Sequence, residues 1–146
     1  MDRSKNIDRL LKVKELRRRL AEIEASQARN ALYAAEDALA RAKENEFSVR
    51  ANSDVKRNER LNHLLEGGGN IAVQSIQLKN AYALTEQEIN QAIEHTKHQD
   101  SALGEAAECA SLAQQKLARF LQIEERTRKL CEKLAEMKHK EAIRHN

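Results

Sequence analysis

Three consecutive glycines, Gly67-Gly68-Gly69, stand almost at the midpoint of a 146-residue chain that contains no proline. Average usage would place roughly seven prolines in a chain of this length. Proline lacks the N–H donor and its ring clashes with the preceding helical turn, so its absence suits long uninterrupted helices. Glycine in turn supplies the positive φ on which helices commonly end. The chain is therefore expected to be all-α, with two long helices broken once. Charged residues make up 34% and aromatics 3% of it, and there is no Trp, a composition that favours a narrow seam between helices over a wide core.

The second half carries a clean periodicity. Steps of four and three residues from Leu78 visit Leu78, Tyr82, Thr85, Ile89, Ala92, Thr96, Gln99, Leu103, Ala106, Ala110, Ala113, Leu117, Phe120, Glu124, Thr127, Cys131 and Leu134. Such alternation is the heptad seam of a left-handed coiled coil. In the first half the stripe Leu16, Leu20, Ile23, Gln27, Ala31, Ala34, Ala38 and Ala42 steps by about 3.7 residues on average, which predicts weak supercoiling. Ala-rich sequence between Ala21 and Ala42 allows a close approach of the helix axes and has high helix propensity.

The expected architecture is a single elongated domain, a long antiparallel two-helix coiled-coil hairpin with its bend at Gly67–Gly69. Helix 1 is expected over about 7–65, the bend over 66–70 with Asn70 as N-cap, and helix 2 over about 71–143. Folding about Gly68 pairs residue i with about 136 − i, so Leu16 would face Phe120, Leu20 would face Leu117 and Ile23 would face Ala113. Ala51-Asn52-Ser53-Asp54 is a weak spot where Ser53 is able to cap a helix restart, and Gly104 is a candidate kink.

Charge is polarised along this hairpin. Residues 1–20 carry a net +5 and residues 126–146 a net +4, whereas the whole chain is only +3, so the middle is acidic. The hairpin would gather the basic segments at its open end, where they suit an acidic protein surface. Nucleic acid is disfavoured because aromatic residues do not interleave with these cations and no zipper dimer presents them to a groove. At the tip, Ile71, Val73, Ile76 and Leu78 are too closely spaced to face one helix, which suggests a second, apolar contact there.

Several chemistries find no support. No nucleophile elbow or phosphate loop is present, and a two-helix hairpin offers no concave pocket, so no catalytic residue, cofactor or enzyme activity is expected. Glu94, His95 and His98 have a metal-like helical spacing, but the set lacks further ligands and no metal site is expected. No apolar stretch reaches the ~20 residues of a membrane span, and the first 25 residues hold no apolar run, so neither a span nor a signal peptide is expected. Cys109 and Cys131 lie roughly 33 Å apart on a continuous helix, beyond disulfide reach, and two free thiols fit a reducing cytoplasm.

The segment Leu10-Leu11-Lys12-Val13-Lys14-Glu15-Leu16-Arg17, followed by Ala21, Ala28, Ala31-Leu32, Ala35-Glu36 and Leu39, resembles the opening of the FliJ/YscO family of type III secretion stalk proteins. The motif covers about the first 40 residues, and its Lys-Val-Lys-Glu-Leu-Arg wording is closer to the injectisome branch than to the flagellar one. The resemblance implies a hairpin similar to the coiled coil of rotary ATP synthases. Its open end would enter a hexameric export ATPase and its bend would point to the export gate, with secretion chaperones as further partners. The implied ATPase-binding residues are Arg9, Lys12, Lys14, Arg17, Arg18, Arg19, Arg126, Arg128, Lys129 and Lys133, and the implied gate-binding residues are Ile71, Val73, Ile76 and Leu78. The resemblance further implies a monomer in isolation, cytoplasmic and peripheral at the inner membrane. The competing readings are a dimeric scaffold or adaptor, with helix 1 running on through the glycines, and a holding chaperone.

Overall fold

A computed structural model describes residues 3–145 as two helices, α1 (Arg3–Glu66) and α2 (Ile71–His145), with no strand among the described residues. They pack against each other as the expected all-α antiparallel hairpin, and α1 does not continue through the glycines. At the bend the Gly67 N–H still donates to the His63 carbonyl at 3.1 Å, and Gly68 then takes φ 51°, the left-handed conformation that a side chain would oppose. Asn70 caps α2 as expected. Its side-chain oxygen accepts from the Ala72 N–H at 3.1 Å and its carbonyl from the Gln74 N–H at 3.0 Å. The Gln74 amide donates to the Leu64 carbonyl at 3.0 Å, satisfying one of the carbonyls left over at the end of α1.

The contacts fall into two units. The first joins α1 up to Leu32 to α2 from Ala106 onward. Its inward positions are Ile7, Leu11, Lys14, Arg18, Ala21, Ala25, Ala28 and Leu32 on α1, and Ala106, Ala110, Ala113, Leu117, Phe120, Glu124, Thr127, Cys131 and Leu134 on α2. Its core is Ala21, Ala25 and Leu117, with Ala113 and Phe120 packed against it. Cross-helix pairs such as Glu24 with Lys116 set a register of about 141 − i.

The second unit is Tyr33–Glu105. Leu39 and Ala42 on α1 and Ala92 on α2 are its buried apolar residues, and Ser53 and Thr85 are buried with them. Here the Thr96 hydroxyl reaches the Ala42 carbonyl at 3.3 Å, a register of about 138 − i. On each helix one step of eleven residues interrupts the heptads, Glu46–Val49–Ser53–Arg57 on α1 and Leu78–Ala81–Thr85–Ile89 on α2. An eleven-residue step relaxes the left-handed supercoil locally, and both helices take it within the same unit.

The α2 seam follows the sequence expectation with one local change, since Ala81 turns inward and Tyr82 stays 40% exposed. The expected α1 seam is corrected from Leu16 to Ala34, while Ala38 and Ala42 lie inward as expected. Leu16 is 60% exposed and Leu20 and Ile23 54% each, so these residues face away from α2. The register moves with it, and Leu117, Phe120 and Ala113 pack on Ala21 and Ala25 instead of on Leu16, Leu20 and Ile23. Two causes act together. The buried α1 stripe keeps the strict 3–4 alternation of its partner from Ile7 to Val49, whereas a stripe stepping by about 3.7 would rotate out of a shared supercoil. The large residues of α2 also need small ones opposite, and α1 offers Ala21, Ala25 and Ala28 there.

Two further expectations are corrected. Ser53 does not cap a restart: α1 is continuous, and the Ser53 hydroxyl donates back to the Arg50 carbonyl at 2.6 Å inside the helix. At the tip, Leu78 is half-buried on the seam while Ile71, Val73 and Ile76 are exposed. The reversed roles of the α1 stripes are measurable. Ala21→Leu should destabilise the hairpin by about 1–3 kcal/mol through overpacking. Leu16→Ala should stay within about 0.5 kcal/mol. Urea denaturation followed by circular dichroism reads both, and the opposite ranking would restore the seam expected from sequence.

Candidate interaction surfaces

Glu124 organises the basic end. Its carboxylate sits on the seam, only 5% exposed, where α2 offers a polar residue to a narrow apolar stripe. Arg18, at the facing seam position of α1, donates from Nε to Oε2 at 2.5 Å, and Arg128 donates from Nη2 to Oε1 at 3.1 Å. The other arm of Arg18 reaches Glu22 Oε1 at 2.8 Å, one turn along α1. The hydrogen bonds to Glu22 and Glu124 raise the Arg18 pKa above its ordinary value, so the guanidinium stays charged at every working pH. A shallow hollow of about 420 Å³ lies beside this group, lined by Arg18, Glu124 and Arg128 among others. Its cations already face carboxylates, so it offers little to an anionic ligand.

The ten cations singled out in the sequence thus divide by environment. Lys14 and Arg18 lie half-buried on the seam. Arg128 is engaged by Glu124, and Lys129 stands 3.5 Å from Glu125. Arg9, Lys12, Arg17, Arg19, Arg126 and Lys133 are exposed, and none of them is in an ion pair among the described residues. These six are the cations left to meet something else. The antiparallel pairing brings the N-terminal members alongside the C-terminal ones within the first unit.

Sequence reasoning missed a second feature of the same unit. Leu10, Val13, Leu16, Leu20 and Ile23 are 44–60% exposed and form an outward apolar stripe on α1. Leu16, Leu20 and Ile23 are periodic in the sequence, and their row lies on the face of α1 turned away from α2.

In the second unit the surface near the bend is apolar. Ile71 is 82% exposed, Leu65 68% and Ile76 61%, and Val73 is half exposed; Leu65 was not anticipated. Away from the tip the unit is held by polar contacts on its seam. The Arg60 guanidinium donates to the Thr85 hydroxyl at 2.7 Å and to the Ala81 carbonyl at 3.1 Å, and Thr85 is almost fully buried. Arg57 lies over the Tyr82 ring at 5.5 Å, while its buried Nε has no hydrogen-bond partner.

Glu94, His95 and His98 are exposed, and among the described residues no group of three or more acidic, His or Cys side chains is placed to hold a metal ion. Cys109 and Cys131 are free thiols. No described helix is long and apolar enough to cross a membrane. No family model matches the chain, and no curated protein and no solved structure matches it either.

The Glu124 group should behave as a coupled unit. Arg18→Leu alone leaves a buried carboxylate with one partner fewer, whereas Arg18→Leu combined with Glu124→Leu removes both charges from the seam. The single variant should lower the urea midpoint more than the double variant does. A double-variant loss equal to the sum of the Arg18→Leu and Glu124→Leu losses would mean that the two residues act independently.

Proposed function

We propose that this chain is the central stalk of a bacterial type III export apparatus. Its basic open end would bind the hexameric export ATPase, and its apolar bend would face the export gate. The observation that carries the reading is the concentration, at the terminal end of a two-helix hairpin, of exposed cations outside every ion pair of the described residues: Arg9, Lys12, Arg17 and Arg19 on α1, Arg126 and Lys133 on α2. The Leu10–Arg17 motif, similar to the FliJ/YscO opening, lies in the same segment. An asymmetric hairpin seated in a near-symmetric ring would bias each subunit differently, which supplies a physical means of promoting ring assembly and coupling hydrolysis to export. The chain itself hydrolyses nothing in this reading. Exposed Ile71, Val73 and Ile76 support an apolar contact at the gate, while Leu78 belongs to the hairpin's own packing. Secretion chaperones are further partners in this proposal. The protein would be a monomer in isolation, acting in the cytoplasm at the inner-membrane face.

A scaffold or adaptor is the second reading, and the exposed stripe Leu16-Leu20-Ile23 supports it as a surface for another protein. ATP hydrolysis by the export ATPase, measured with and without the chain at a few molecules per hexamer, separates the two. Wild type should stimulate hydrolysis several-fold. Arg17→Glu/Arg19→Glu should abolish the stimulation without unfolding the hairpin, because both side chains are exposed and outside the Glu124 group. Absence of both binding and stimulation by wild type would reject the stalk and leave the adaptor.

A further inference from the structure

In heptad terms the α1 seam of the first unit places Leu11, Arg18 and Ala25 at a and Lys14, Ala21 and Ala28 at d. Glu24 and Lys116 then both occupy g, and their 2.9 Å ion pair is the flanking contact expected of antiparallel helices. The outward residues fall on the other side of the helix. Val13 and Leu20 are at c and Leu16 and Ile23 at f, with Leu10 at g beside them. This outward row also alternates three and four residues, so α1 carries a second heptad stripe that α2 does not cover.

The rim of that stripe differs from the rim of the seam. Beside the seam, Glu22 accepts Arg18 and Glu24 accepts Lys116. On the outward side Arg9 continues the row at f, and Lys12 and Arg19 at b and Arg17 at g flank it; all four are exposed and outside every ion pair of the described residues, whereas Glu24, at g like Arg17, is engaged by Lys116. We propose that this stripe seats an amphipathic helix of another protein, with Leu-type residues facing Val13, Leu16, Leu20 and Ile23 and Asp or Glu flanking them to meet Arg9, Lys12, Arg17 and Arg19. Charge complementarity sets the sign of the partner. A second copy of this chain would bring the same cations against themselves. The two-in-seven width of the row suits the seam of one helix, whereas a helix lying on a lipid surface presents a broad apolar face. The proposal does not rest on the export reading, because it names a kind of partner element and no particular apparatus.

The test uses the full chain and a synthetic four-heptad peptide with Leu at a and d and Glu at e and g, labelled for fluorescence anisotropy. A matched peptide carries Lys in place of Glu. The Glu peptide should bind, weaken as salt rises, and bind at least about tenfold more tightly than the Lys peptide. Leu16→Gln/Leu20→Gln should reduce its affinity by about tenfold or more while leaving the hairpin's melting temperature nearly unchanged, since neither side chain contributes to the seam. Arg17→Gln/Arg19→Gln should remove most of the discrimination between the two peptides. No binding of the Glu peptide, equal binding of both, or indifference to the Leu substitutions would overturn the proposal. So would tighter binding to phosphatidylserine vesicles than to the peptide, which would assign the stripe to a membrane. Self-association in sedimentation that Leu16→Gln/Leu20→Gln abolishes would assign it to a second copy. Peptide binding by a chain that neither binds nor stimulates the ATPase would leave this docking site standing and the stalk reading rejected.

Discussion

Close packing of small residues against large ones is the constraint on which this hairpin depends. Ala21 and Ala25 are almost fully buried on α1, and Leu117 and Phe120 fill the space that they leave. A two-helix protein has no third layer, so each seam position has only one opposing surface on which to gain contact. Small side chains there let the helix axes approach and recover the dispersion contacts that a wider gap would lose. The orientation of α1 follows from this. Turning Leu16, Leu20 and Ile23 inward would set bulky residues against bulky residues.

Polar residues then fix what alanines leave unspecified. An Ala-rich seam is forgiving of slippage, because neighbouring registers offer similar contacts. Glu124 between Arg18 and Arg128, and Thr85 beneath Arg60, are not forgiving, since sliding one helix would take Arg18 from the buried Glu124 carboxylate and Arg60 from the buried Thr85 hydroxyl. The second unit adds the contact of the Thr96 hydroxyl with the Ala42 carbonyl across the two helices. The glycine bend adds a further restraint: with Gly68 in the left-handed conformation and Asn70 capping α2, Gln74 is held within reach of the Leu64 carbonyl.

The same arrangement divides the charged residues by task. Arg18 and Arg128 serve the fold, while Arg9, Lys12, Arg17, Arg19, Arg126 and Lys133 stay exposed at the terminal end. A sum of charge over the end treats all of them alike. Only the exposed group is free to meet a partner, and the outward apolar stripe gives it a second property, a surface able to select a helix as well as an acidic charge.

Much of the fold was legible in the sequence. The absence of proline, the glycine triplet, the Asn70 cap and the heptads of α2 determine two helices, one bend and nearly every inward position of α2. Each of these is a local signal, because helix propensity, capping and periodicity act within a few residues along one strand. The α1 seam was not legible for the same reason. Two stripes with heptad spacing lie on opposite faces of that helix, and the more apolar one invites burial when α1 is read alone. The choice between them belongs to α2: Leu117 and Phe120 accept alanines, and Glu124 requires an arginine opposite. Arg18 therefore turns inward and Leu16 outward, an outcome that two helices reach together and that neither encodes by itself.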